Sequence, residues 1–197
     1  MLDLALGDTA AMAGHAPAPL TRAIAAQLEN GATTMLPSEA AIDAAEELTR
    51  RFGLPLWQLC LTATDANRFV LRIARAVTKR PKVLVHNWCY HGTVDETFAI
   101  AAPGGSAGAA QARPGNTGPQ VDPSTTTRVV EINDLVATEA ALAAGDVAAI
   151  LIEPALTNIG IVLPDPGYHA ALRTLATEYG ALLIADETHT ISLGPGG

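Results

Sequence analysis

The residues of this chain that could do chemistry stand where apolar runs end. Ala148-Ala149-Ile150-Leu151-Ile152 empties into Glu153, and Ala181-Leu182-Leu183-Ile184-Ala185 empties into Asp186-Glu187. Carboxylates at such exits can hold a positive group on a ligand, because ligands of open α/β sheets bind at the carboxyl ends of the strands. A third run, Lys82-Val83-Leu84-Val85, opens into His86-Asn87-Trp88-Cys89-Tyr90-His91-Gly92. Its rings could stack on a flat ligand and handle protons, or they could fill a core. A fourth, Leu56 to Leu61, delivers Thr62-Ala63-Thr64-Asp65-Ala66 to the start of a long helical pattern. Unpaired N–H groups and the helix dipole make that junction a candidate phosphate cradle, with Thr64 as a plain helix cap for the alternative. Asp65 has to point its charge away from any phosphate there.

These groups need elements to position them. The runs 148–152 and 181–185 lack alternation, which predicts parallel strands buried on both faces. Between them Tyr168, Leu172, Leu175, Ala176 and Tyr179 recur at helical spacing, so 166–179 is an amphipathic crossover helix and the whole a βαβ unit. Upstream, Leu2-Asp3-Leu4-Ala5-Leu6 alternates and predicts a short edge strand. Pro17 to Asn30 predicts a helix with Leu20, Ile24 and Leu28 on one face. Ser38 caps a second helix ending near Phe52-Gly53, with Ile42, Ala45, Leu48 and Phe52 inward. In the helix after Thr64 the core spacing falls on Ala66, Phe69, Val70, Ile73, Ala74 and Val77. Ala101 to Thr127 has no periodicity and predicts a long loop or mobile flap. Thr127–Ile132 then predicts a strand and Asp134–Ala144 a helix.

Composition narrows the classes. The chain of 197 residues is nearly half apolar, enough for one sizeable α/β core. A net charge of −8 argues against nucleic acid, whose phosphates need clustered Lys and Arg. Cys60 and Cys89 have no metal spacing and read as reduced thiols of a cytoplasmic protein, a disulfide between them being the alternative. No apolar run approaches membrane-spanning length, no metal motif is present, and no G-x-G-x-x-G follows a strand as a Rossmann dinucleotide site would require.

Four separated motifs together resemble the class III, fold-type-I aminotransferases that use pyridoxal 5'-phosphate, on the glutamate-1-semialdehyde 2,1-aminomutase side of that family. They are Leu6-Gly7-Asp8-Thr9 with Gly14-His15, Thr62-Ala63-Thr64-Asp65-Ala66, Cys89-Tyr90-His91-Gly92, and Glu153-Pro154 through Asn158 and Gly160 to Asp186-Glu187. The resemblance implies a three-layer α/β fold with a mainly parallel sheet, incomplete here. Residues 1–52 would be an N-terminal segment with two helices, 53–197 a portion of the cofactor-binding large domain, and the C-terminal small domain would be absent. It implies that Asp186 keeps the cofactor's pyridine nitrogen protonated, that Ala63 and Thr64 bind the phosphate, and that Tyr90 stacks on the ring. Asn158 would lie near the 3-hydroxyl, and His91 would adjoin the cofactor. Small amino acid and carbonyl substrates and a homodimer are implied as well.

Two departures accompany the resemblance. The family's Ser-Gly-Thr phosphate motif is Thr62-Ala63-Thr64 here, and the added methyl narrows the approach of the backbone to a phosphate. The family's Schiff-base lysine lies beyond Asp186-Glu187, whereas the two lysines of this chain are Lys79 and Lys82. The expectation is an aminotransferase or aminomutase by lineage, inactive as this chain stands. The competing reading is a non-catalytic relative that binds a phosphorylated ligand or a protein partner.

Overall fold

The computed structural model describes residues 2–33, 35–118 and 121–195. By their contacts the described residues fall into two compact units, 2–58 and 59–195.

The first unit holds two helices, α1 (Ala18–Glu29) and α2 (Glu39–Phe52). Pro17 precedes α1 with its φ preset, and Gly53 in the left-handed region ends α2, its N–H returning to the Thr49 carbonyl. Leu20, Ile24 and Leu28 share one face of α1, and that face is exposed. Ser38 precedes α2 without a side-chain cap bond, and Ile42 points outward where the spacing predicts an inward position. The predicted strand Leu2–Leu6 is a series of turns. Asp3 accepts hydrogen bonds from the N–H groups of Ala5 and Gly7 at 2.9 and 2.7 Å, and this local bonding wins over extension.

The second unit is built on a four-stranded parallel sheet of order β4-β1-β5-β6. Its strands are β1 (Lys82–His86), β4 (Thr127–Val130), β5 (Val147–Ile152) and β6 (Leu182–Ala185). Every residue of β5 is buried, as a central parallel strand requires. Adjacent residues point to opposite faces: Leu84, Ile150 and Ile152 pack with Tyr168, Leu172 and Ala176, whereas Val83, Val85 and Leu151 pack with Leu71, Cys89 and Val129. Helices α4 (Leu135–Leu142) and α5 (Tyr168–Glu178) lie on the first side and α3 (Ala63–Thr78) on the second, giving three layers. At the amino-terminal strand ends Asp146 takes a two-pronged ion pair from Arg128 (2.7 and 2.8 Å) and Lys82 Nζ at 3.3 Å. The Arg128 guanidinium, and after it Lys82, holds the Asp146 carboxyl below the usual range.

Four expectations for this region are corrected. The stretch Leu56–Leu61 takes no strand pairing, and Leu61 is 97% exposed, so no buried face holds it in a ladder. The loop predicted for 101–127 contains order: β2 (Ala99–Ala101) pairs antiparallel with β3 (Ala110–Ala112), and Gly108 bridges to Val129. Small residues carry no periodic signal, yet here they let the hairpin lie close to β4. Of the core positions expected on α3, Ala74 is buried, but its buried companions are Asn67 and Leu71, while Phe69, Ile73 and Val77 are exposed. Spacing alone cannot say which of two neighbouring stripes faces the sheet. Finally, β6 is not buried on both faces; among the described residues it lies at the edge of the sheet, and Leu182 is 38% exposed.

That contrast between strands is measurable. Ile150→Ala, which empties a site with no exposure, is expected to cost about 2–5 kcal/mol in urea denaturation, and Leu182→Ala less than half as much.

Candidate active site

The carboxyl ends of β1, β5 and β6 and the first turn of α3 enclose an open cavity of about 190 Å³. Its walls include Thr62, Thr64, Tyr90, Glu153, Asp186 and His189. Helix α3 starts there because Thr62, in extended conformation, caps it: its Oγ1 accepts from the Asp65 N–H at 3.1 Å. The cap is therefore Thr62 and not Thr64. Asp65 turns back to receive the Thr62 hydroxyl at 3.0 Å, so its charge is tied to the cap. Thr64 is freed for another task. Its Oγ1 accepts from the Thr93 N–H at 3.1 Å, which leaves its own proton to give. Gly92, at φ +76°, lies so close that a Cβ would stand 2.1 Å from Thr64 Oγ1, and only glycine fits.

Asp186 follows β6 and prolongs the sheet, its N–H bonding to the Ile152 carbonyl at 2.7 Å. Four donors surround its carboxylate. Oδ2 accepts from Asn67 Nδ2 at 2.8 Å and His91 Nδ1 at 2.9 Å; Oδ1 accepts from the Thr188 N–H at 3.2 Å and the Thr188 hydroxyl at 2.6 Å. All four lone-pair positions are thereby taken. Burial opposes ionisation of Asp186, but the bonds from His91, Thr188 and Asn67 outweigh it and hold the carboxyl well below the usual range.

His86 and His91 are both 1% exposed, and their environments drive them apart. Burial, helped by the charge on His91, pushes His86 down to about 4, so it is neutral and shares a 2.8 Å hydrogen bond with the Tyr168 hydroxyl. Burial would do the same to His91, yet Asp186 and the nearby Cys89 side chain reverse it and raise the ring to about 10. The raised His91 contributes stability below its ordinary 6.5 that is lost as pH climbs through about 10. The depressed Asp186 contributes above its ordinary 3.8 and loses that contribution as pH falls toward its folded value.

The structure brings Ala63, Thr64, Tyr90 and Asp186 to one cavity and puts His91 directly behind Asp186. Tyr90 is 43% exposed, which leaves a ring face open, while its N–H is anchored to Glu153 Oε1 at 2.9 Å. Asn158 stands apart, exposed in the loop after β5 and outside the cavity wall. Sequence reasoning missed Asn67, Thr188 and His189. Asn67 carried a signal, since a polar residue on the buried stripe of a helix needs a partner. Among the described residues no cluster suits a metal, and no helix is long and apolar enough to cross a membrane. Neither cysteine forms a disulfide among the described residues.

Comparison with known proteins places the chain in a family. The model of the family "Aminotransferase class-III" matches residues 1–194. A glutamate-1-semialdehyde 2,1-aminomutase of Opitutus terrae is 37% identical over 183 residues, covering 91% of this chain and 42% of the relative. The crystal structure of a glutamate-1-semialdehyde-aminomutase from Pseudomonas aeruginosa PAO1 is similar with TM-score 0.92 and 52% identity, over 100% of this chain and 43% of that one. A variant of that enzyme in complex with PMP gives TM-score 0.92 and 53% identity over 99% and 42%. The chain thus spans less than half the length of these relatives. With a parallel sheet, a helix N-terminus and an ionised aspartate meeting at one cavity, and with the family model matched almost end to end, the chain belongs to the class III aminotransferases, a family of pyridoxal-phosphate-dependent enzymes.

Proposed function

We propose that this cavity binds pyridoxal 5'-phosphate and that the protein is an aminotransferase or aminomutase of the glutamate-1-semialdehyde 2,1-aminomutase kind. It would move an amino group on or between small amino acid and carbonyl substrates. The observation that carries the proposal is Asp186, a carboxylate kept ionised under burial at the floor of a cavity whose wall is a helix N-terminus. Bound there, the cofactor supplies an electron sink for negative charge at a substrate carbon. The residues of the chain supply the rest. Asp186 opposes a proton on the ring nitrogen, and the cation on His91 behind it keeps Asp186 from taking that proton itself. The Ala63 and Thr64 N–H groups have no acceptor within the helix, and with the Thr64 hydroxyl they receive the phosphate. Ala63 sits in a helical first turn, where its methyl costs no strain. Tyr90 covers one ring face.

Neither lysine of the chain serves this cavity. Lys79 caps the far end of α3, 16 residues and about 24 Å from the wall, and Lys82 is paired with Asp146 at the opposite end of β1. We therefore infer that this chain holds the cofactor without a covalent bond and does not turn over. A homodimer belongs to the proposal, supported by the exposed apolar row Phe69, Ile73 and Val77 on α3. A cytoplasmic setting belongs to the proposal as well.

Three measurements test the proposal. Borohydride reduction of the chain with pyridoxal 5'-phosphate should leave no stoichiometrically modified lysine in mass spectra; one fully modified lysine would refute non-covalent binding. Thr64→Val should weaken pyridoxal 5'-phosphate by about tenfold, the worth of one charge-assisted hydrogen bond, while leaving pyridoxal affected little. Equal weakening of the two would remove the phosphate from Thr64. In Asp186→Asn the foremost partner that raises His91 is gone and burial dominates over what Cys89 supplies, so the ring should be neutral at pH 7 by 15N NMR; a ring still protonated there would show that Asp186 does not set its charge.

A further inference from the structure

One ionisable group of the cavity is unused by this account. His189 lines it beside Glu153, Tyr90, Asp186 and Thr188. Its Nδ1 lies 2.6 Å from Thr157 Oγ1. The Thr157 hydroxyl gives its only proton to Glu153 Oε2, 3.0 Å away. Glu153 is buried at the end of β5 and acts as an acceptor throughout, taking the Tyr90 N–H on Oε1 and the Thr157 N–H on Oε2. Thr157 can then only accept from His189. The hydrogen of the neutral ring is consequently on Nδ1 and its lone pair on Nε2. No described residue bonds to Nε2, and it is not among the buried unpaired atoms.

We propose that His189 is the proton acceptor of this cavity, its Nε2 receiving a hydrogen bond or the proton itself from an ammonium or hydroxyl group of the bound ligand, with Glu153 and Thr157 fixing the tautomer. On transfer the N–H or O–H bond of the ligand breaks and its electron pair stays on the ligand atom. The new bond is Nε2–H, and the imidazolium keeps Nδ1–H on Thr157. The relay stands on this chain alone, whereas the choice of ligand rests on the cofactor proposed above. Pyridoxamine 5'-phosphate, which carries an amine, is the probe.

The test is long-range 1H–15N NMR of the labelled chain, with the His189 signals assigned from His189→Asn. Without ligand, wild type should show the Nδ1–H tautomer, and Thr157→Val should shift the ring toward Nε2–H. Saturation with pyridoxamine 5'-phosphate should move the Nε2 resonance. His189→Asn, which keeps an N–H for Thr157 but lacks the distal nitrogen, should bind that probe up to about tenfold more weakly with unchanged thermal unfolding. An Nε2–H tautomer in the free wild type would overturn the relay. An unmoved Nε2 signal at saturation, or full affinity in His189→Asn, would overturn the acceptor role. If wild type fails to bind the probe, the cofactor assignment fails and takes the ligand role with it, while the tautomer still decides the relay.

Discussion

A carboxylate cannot stay ionised at the depth of Asp186 unless other regions of the chain replace the water it has lost. The structure meets that requirement with donors that lie far apart in sequence: Asn67 is 119 residues away and His91 is 95. They converge only when α3 lies on the sheet and β1 and β6 flank β5 in register. The charge at the cavity floor is thus conditional on the tertiary fold. Glu153 has the complementary duty at the neighbouring strand end. It is buried at the exit of β5 and uses its oxygens to hold Tyr90 and Thr157, a scaffold duty.

The two buried histidines show how little local sequence says about charge. His86 and His91 leave the same strand five residues apart and are equally buried, yet one is neutral and the other a cation. The main difference is the carboxylate that only His91 touches, with Cys89 adding to it. Each state reinforces the other, because the cation on His91 further discourages a proton on His86.

Much of the scaffold was legible because its signals are local. β1, β5, α5 and the acid that follows β6 are written as unbroken apolar runs, a helical period and an abrupt change to charge. Where the sequence misleads, the deciding contact is either very short-range or very long-range. Asp3 folds Leu2–Leu6 into turns through bonds two and four residues away. The side of α3 that meets the sheet was invisible because Phe69-Ile73-Val77 and Asn67-Leu71-Ala74 are both helical stripes, and the more apolar one is outside. The hairpin of β2 and β3 is made of alanines whose pairing no propensity announces. The Thr157–His189 contact joins two loops 32 residues apart, and only folded geometry reveals it.

The Thr188 hydroxyl, at 2.6 Å, occupies the last lone pair of Asp186. A ring nitrogen that arrives with a proton finds no free acceptor and has to displace a donor. Asn67 and His91 are buried and fixed, whereas Thr188 is exposed and needs only a side-chain rotation to withdraw. On the proposed reading, ligand entry at this aspartate would be an exchange of partners that turns on the Thr188 rotamer. The same hydroxyl stands between the carboxylate and solvent, so the charge at the cavity floor is not bare.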